Sequence, residues 1–193
     1  DCADGEQQYC SALVPTYAGV EKDGKTPTFG GYSTQITVNQ DFVLKISPKL
    51  SPAGAAPLLC AGITTYSPLK HWKVGKGSKV ATVGLGGLGH VAVKIAKAMG
   101  AEVTVLSRSE KKRADALALG ASDYGATANP ETFANFAGRF DFILNTVGAV
   151  TDNDAYLSLL KRDGTLVLVG VPDGAVSMSP YSLMMKRRSV SGS

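Results

Sequence analysis

From Lys79 onward the hydrophobic pattern alternates between two periods. Val80-Ala81-Thr82-Val83 is a short apolar run ending at Gly84, as a buried strand requires. Leu88, Val91, Ala92, Ile95, Ala96 and Met99 then recur at i, i+3, i+4 and i+7. Lys94 and Lys97 fall off that stripe, and Gly100 is placed to cap the helix. Val103 to Leu106 predicts the next strand, and Ser109 caps a helix with the stripe Ala114, Leu117 and Ala118, closed by Gly120. A weak strand over Asp123 to Ala126 and a helix from Pro130 to Ala137 follow. Phe140 to Asn145 predicts a strand, Asp152 to Leu160 a helix, and Leu166 to Val169 a strand. A helix over Pro180 to Lys186 leads to a last strand, Ser189 to Gly192. The strands are near-continuously apolar rather than alternating, which a parallel sheet covered on both faces demands. The expected fold class is therefore α/β, a doubly wound parallel six-stranded sheet over about residues 70 to 193.

The chain before Lys79 has no such rhythm. The first 35 or so residues, rich in Gly, Asp, Pro, Thr and Tyr, read as loop and end in the turn Phe29-Gly30-Gly31-Tyr32. Ile36, Val38, Phe42, Leu44 and Ile46 alternate, predicting one or two half-buried strands broken at Asn39-Gln40-Asp41. Ser51-Pro52 reads as a helix cap followed by Pro at the first helical position. Ala53 to Trp72 is mostly helical, broken by Gly62 and Pro68.

Composition narrows the class. The 193 residues are 44% hydrophobic, too apolar for a disordered tail, and the 22 glycines show no three-residue period. The longest apolar run, Leu166 to Val171, meets Gly170 well short of the roughly 18 residues a membrane helix needs. A net charge of +4 is spread thinly apart from Lys111-Lys112-Arg113 and Lys186-Arg187-Arg188, so neither nucleic acid nor membrane is an expected partner. Three cysteines (Cys2, Cys10, Cys60) are too few for a disulfide scaffold, and the odd count leaves at least one free thiol. With no signal-peptide pattern at the start, a cytoplasmic location is expected. A start at Asp1 rather than Met, and a stop straight after a strand-like run, read as a piece of a longer chain.

The chemistry sits after the first strand. Gly84-Leu85-Gly86-Gly87-Leu88-Gly89 is G-x-G-x-x-G, weak alone but here following a strand, opening an amphipathic helix and lying in a βαβ unit of about 30 residues. Gly84 allows the tight turn, Gly86 lets backbone approach a pyrophosphate, and Gly89 lets helix pack close to strand. The N–H groups around Gly87 and Leu88 and the helix dipole favour the phosphates. At the tip of the second strand, Ser107 stands where NAD binders carry a carboxylate for the ribose, followed by Arg108, Ser109, Glu110, Lys111 and Lys112. Hydroxyls with Arg108 and Lys112 suit a 2′-phosphate, hence NADP(H); the alternative is that Glu110 serves the ribose and the cations are a solvated helix start.

These segments together resemble the zinc-containing medium-chain alcohol dehydrogenases, most nearly the NADP-dependent cinnamyl-alcohol-dehydrogenase-like branch. The motifs are P-L-L-C-A-G-I-T-T-Y at 57–66, G-L-G-G-x-G-H at 84–90, S-x-S-x-K-K at 107–112, L-L-K-x-D-G at 159–164 and the C-x₇-C pair Cys2 and Cys10. The resemblance covers essentially the whole chain. It implies a partial, mostly-β GroES-like catalytic domain with a structural-zinc loop remnant over residues 1–67, and a Rossmann dinucleotide-binding domain over 68–193. It further implies that Cys60 is a catalytic-zinc ligand, that Thr64 borders the nicotinamide, and that Cys2 and Cys10 are two of four structural-zinc thiolates. Thr146, Val147, Val169, Gly170, Val171 and the Ser191-Gly192-Ser193 segment would line the cofactor.

The implied reaction is zinc-assisted hydride transfer between nicotinamide and an alcohol or aldehyde, in a homodimer joined through the last strand. The family's other zinc ligands, a Cys, a Gly-His-Glu motif and two further thiolates, have no counterpart in this sequence. His71 and His90 read as structural or surface residues. Two other readings are a zinc-independent NADPH quinone or enoyl reductase of the same superfamily, and a cofactor-binding fragment without turnover.

Overall fold

The computed structural model describes Ala3 and residues 5–193, whose contacts fall into two units, one ending at Ser47 and one spanning Pro48–Ser193. In the first, β1 (Tyr17–Val20) and β2 (Pro27–Phe29) pair antiparallel where the composition predicts only loop. Asp23 organises the connection: its carboxylate accepts the N–H groups of Lys25 and Thr26 at 2.8 Å each and the Thr26 hydroxyl at 2.5 Å. Those bonds, the Thr26 hydroxyl foremost, hold its carboxyl below the ordinary range. The strands expected over residues 33–46 do not form. Gln40–Phe42 makes one 3₁₀ turn, and Ile36, Val38, Phe42, Leu44 and Ile46 are exposed. Alternation supplies an apolar face, but a strand also needs a ladder partner, and no described residue pairs with this segment.

The second unit opens on α1 (Pro52–Ala55), where the Ser51 hydroxyl accepts the Gly54 N–H at 3.2 Å. A 3₁₀ turn (Ala56–Leu59) leads to α2 (Ala61–His71). The break comes at Cys60, with φ −123° and ψ −79°, not at Gly62; Gly62 and Pro68 both lie buried inside α2. Pro68 lacks only the one N–H that would have bonded back a turn, and the helix continues past it.

Strand and helix then alternate: β3 (Lys79–Val83), α3 (Gly87–Ala98), β4 (Glu102–Ser107), α4 (Arg113–Ala118), β5 (Asp123–Ala126), α5 (Glu131–Asn135), β6 (Phe140–Asn145), α6 (Asn153–Ser158), β7 (Leu160–Leu168), α7 (Pro180–Met184) and β8 (Ser189–Gly192). Gly100 and Gly120 take φ +92° and +105° after α3 and α4, the left-handed geometry that ends a helix. The helix expected to reach Leu160 stops at Ser158, and Leu160 begins a nine-residue strand. A strand can start so early because its pairing with β6 tolerates an irregularity between Phe140 and Phe142.

Six strands form one sheet in the order β5-β4-β3-β6-β7-β8, and every neighbouring pair is parallel. Both faces are covered. Val80, Val103, Val105, Phe142, Leu144 and Val167 pack with Leu69 of α2 and Ala92, Val93 and Ala96 of α3. Ala81, Val83, Leu106, Ile143 and Leu166 pack on the other side with Phe136, Tyr156 and Leu157. The order places β3 beside β6, the point where the chain stops winding outward through β4 and β5 and crosses back. Crevices at such switch points are where open α/β sheets take ligands. Among the described residues no helix is long and apolar enough to cross a membrane.

Candidate functional site

Gly84 leaves β3 at φ +90°, its N–H bonded to the Leu106 carbonyl at 2.8 Å. A Cβ there would lie 2.9 Å from the Thr146 Oγ1 and 3.1 Å from a Val147 methyl, so loop and β6 end touch. Gly89 is tighter still, since a Cβ would come within 2.2 Å of the Gly84 carbonyl oxygen. Gly86 and Gly87 are the opposite case: both are exposed, and a Cβ on either would meet nothing within 4 Å. Gly86 is the N-cap of α3 and has no side chain to satisfy the opening N–H groups. Leu88 follows, half-buried, and His90 sits exposed with its Nδ1 3.1 Å from the Gly86 carbonyl. The result is a bare backbone floor at the positive end of a twelve-residue helix, which fits a pyrophosphate.

The tip of β4 closes one side. Ser107 is half-buried, and its carbonyl and that of Arg108 accept the N–H groups of Thr127 and Ala128 at 2.8 and 3.0 Å. Ser109 is extended and accepts a hydrogen bond from the buried Tyr124 hydroxyl. Lys112 donates its Nζ to the Leu85 carbonyl at 2.8 Å, which brings an ammonium to the rim of the glycine loop across 27 residues of chain. Arg108 is exposed and has no ion-pair partner among the described residues. Glu110 is engaged elsewhere: Arg113 donates to both its carboxylate oxygens, at 2.6 and 3.2 Å, and that bonding lowers its pKa below the ordinary carboxylate value.

The ends of β6 and β7 close the other side. The Thr146 hydroxyl donates to the Val83 carbonyl at 2.8 Å. Gly170 lies so near Val147 that a Cβ would fall 2.1 Å from the Val147 carbonyl oxygen. Asn145, buried at the last position of β6, was not among the expected site residues. Its side chain accepts the Val147 N–H at 3.0 Å and donates to Thr151 at 3.0 Å, while its carbonyl accepts the N–H groups of Val169 and Gly170. The amide side chain thus pins the loop after β6, and the backbone carbonyl of the same residue pins the loop after β7. A polar residue ending the apolar run Phe140 to Leu144 was the available signal. Val171 stands 85% exposed.

At the end of β8, Ser191 is half-buried, Gly192 and Ser193 are exposed, and the Ser193 hydroxyl lies 3.4 Å from that of Ser67 on α2. Thr64, one turn before Ser67, is half-buried, with its N–H bonded to the Cys60 carbonyl at 3.0 Å. Cys60 is an exposed free thiol and Cys10 a half-buried one; Cys2 lies outside the described residues. Among the described residues no group of three or more His, Cys, Asp or Glu could hold a metal ion. A catalytic zinc takes about three protein ligands, so these residues do not by themselves make a zinc site. Cys10 instead lines a cavity of about 930 Å³ within the first unit, with Leu13, Phe29, Ile36 and Phe42.

Strand, glycine turn and bare helix N-terminus at the switch point define the class, a doubly wound α/β domain of the Rossmann type. Residues 87–193 match the zinc-binding dehydrogenase family, and the chain belongs to that family. It is 58% identical over 193 residues to the probable formaldehyde dehydrogenase AdhA of Bacillus subtilis, covering all of this chain and 55% of that protein. It is 57% identical over 195 residues to the NADP-dependent alcohol dehydrogenase C 1 of Mycolicibacterium smegmatis, covering all of this chain and 56% of that one. The crystal structure of CAD from Helicobacter pylori complexed with NADP(H) superimposes with a TM-score of 0.89 at 40% identity, covering 99% of this chain and 55% of that one. The chain therefore spans about half the length of the curated relatives it matches.

Proposed function

We propose that this chain forms the cofactor-binding part of an NADP(H)-dependent alcohol dehydrogenase or aldehyde reductase, over residues 68–193, with 1–67 belonging to the catalytic domain. The observation that carries the reading is the pairing of a side-chain-free floor at Gly86 and Gly87 with an exposed Arg108 and a rim-side Lys112. Relatives named as an NADP-dependent alcohol dehydrogenase and a formaldehyde dehydrogenase, and a neighbour complexed with NADP(H), support it.

In this reading the N–H groups at the start of α3, with Leu88 beside them, take the pyrophosphate. Ser107, Arg108, Ser109 and Lys112 take the 2′-phosphate through charge-assisted hydrogen bonds. Thr146, Val147, Val169, Gly170 and Val171 wall the nicotinamide side, with the Ser191–Ser193 segment and Thr64 completing it. When bound, the nicotinamide supplies the hydride chemistry that interconverts alcohol and aldehyde. The close Val147–Gly170 contact brings the ends of β6 and β7 together on that side. Cys60 is proposed as a zinc thiolate whose partner ligands are not among the described residues.

The open edge of β8 supports a homodimer joined strand to strand, since an unpaired edge seeks a partner. The free thiols Cys10 and Cys60 are in keeping with a reducing, cytoplasmic location. Titration of the chain with NADPH and NADH, followed by nicotinamide fluorescence, tests the core of the proposal. Saturable binding that favours NADPH is expected; equal or stronger binding of NADH overturns it.

A further inference from the structure

Between Ser107 and Arg113 there is one acidic side chain, Glu110, among four cations, Arg108, Lys111, Lys112 and Arg113. A carboxylate near the end of β4 is the feature by which dinucleotide sites select an unphosphorylated ribose. Here that carboxylate is occupied, because the Arg113 guanidinium grips both its oxygens at 2.6 and 3.2 Å. The grip is itself anchored. The guanidinium lies over the Tyr124 ring at 5.0 Å, and Tyr124, only 2% exposed, donates its hydroxyl to the Ser109 carbonyl one residue before Glu110. Tyr124 therefore fixes the backbone that carries Glu110 and the cation that holds its carboxylate.

We propose that Arg113 is a specificity-determining positioning residue: it holds the Glu110 carboxylate in a half-exposed ion pair and leaves the ribose end of the pocket to Ser107, Arg108 and Lys112. The inference rests on the dinucleotide reading above and adds a residue that acts through Glu110. Without Arg113, Glu110 is free to turn toward the pocket, where it repels a 2′-phosphate and accepts hydrogen bonds from a 2′-hydroxyl. It also becomes available to Lys112, whose ammonium it would draw away from the phosphate. Both effects lower the preference for the phosphorylated cofactor.

The test is a double-mutant cycle on the full 193-residue chain, titrated with NADPH and NADH at low and moderate salt. Arg113→Ala is expected to weaken NADPH binding about three- to tenfold while NADH binding holds or tightens, the loss shrinking as salt screens the charges. Glu110→Gln alone is expected to change NADPH affinity less than about twofold, and the Arg113→Ala/Glu110→Gln pair to recover most of the loss, as coupling through one charge requires. Arg113→Lys, which keeps the charge but not the fork, is expected to fall between. Equal losses for both dinucleotides in Arg113→Ala, or no rescue by Glu110→Gln, overturn the sequestration while leaving the dinucleotide reading intact. A wild-type chain that binds neither dinucleotide, or prefers NADH, overturns both.

Discussion

The carbonyl oxygen of Gly84 faces Gly89 at a distance that admits only hydrogen, since a Cβ at Gly89 would stand 2.2 Å from it and 3.3 Å from the Thr146 hydroxyl. The contact sets how closely α3 docks on the end of β3, and so where the helix N-terminus points. Gly89→Ala must push α3 outward against a packed sheet. Overpacking of this kind costs about 1–3 kcal/mol, so the variant should show a lower urea midpoint together with weaker NADPH binding. A variant of unchanged stability would show that helix and strand separate more freely than the packing implies.

Gly86→Val is the complementary case. With nothing within 4 Å of the new Cβ there is no clash, and the loss of stability should be limited to about 1 kcal/mol, the cost of putting Val in place of Gly at the N-cap of α3. The isopropyl group would, however, occupy the space a pyrophosphate needs. Loss of one charge-assisted contact predicts at least about tenfold weaker NADPH and NADH binding alike. Calorimetric titration beside a denaturation curve separates the two effects, and normal affinity would move the phosphate site elsewhere.

Ser107→Asp places a carboxylate at the half-buried end of β4, next in sequence to the exposed Arg108. Like charge should weaken NADPH by about tenfold and leave NADH unchanged or improved. Equal losses for the two cofactors would show that Ser107 does not face the ribose.

At the opposite end of the sheet, Arg139 joins Glu102 of β4 to Asp123 of β5, at 3.0 and 2.8 Å, and lies over the Phe136 ring at 5.0 Å. Its guanidinium pKa is raised, with burial opposing and the two carboxylates favouring the charged form. Arg139→Met keeps the apolar stem but leaves two carboxylates unpaired. A loss of about 1 kcal/mol is expected, smaller at high salt, with NADPH affinity unaffected because the network is remote from the glycine loop.

Asp163, at φ +63°, is held by both arms of Arg187 at 2.7 and 2.8 Å, and this pairing lowers its pKa in the folded chain. A depressed folded-state pKa stabilises the fold above the unfolded value, near 4, and that stabilisation is lost as pH falls through the folded value. Asp163→Asn tolerates the left-handed backbone but cannot make the ion pair. The variant should be slightly less stable than the parent at pH 7, with the gap closing as pH falls from the unfolded value through the lower folded one. Urea unfolding across that range measures it, and a constant gap would assign the effect to backbone strain.

Local pattern was sufficient where one element explains itself. The six strands of the sheet, the stripe on α3, the Ser51 cap and the helix-ending Gly100 and Gly120 are all legible because each depends on residues within a turn or two. Leu160 fits the helical pattern yet begins β7, because an apolar residue at a boundary satisfies either period. Residues 33–46 show the same limit from the other side: the alternation of Ile36 and Val38 is real, but a strand exists only by pairing, and no described residue pairs there.

The site divides in the same way. The sequence by itself determined the glycine turn, the missing carboxylate at Ser107 and the cationic run after it, since these are contiguous and chemically explicit. Only the tertiary structure decided that Lys112 reaches the Leu85 carbonyl, that Asn145 ties two loops together and that Arg113, lying over Tyr124, grips the Glu110 carboxylate. Such contacts link strand ends brought side by side by sheet order, and no spacing along the chain encodes which strand ends will be neighbours.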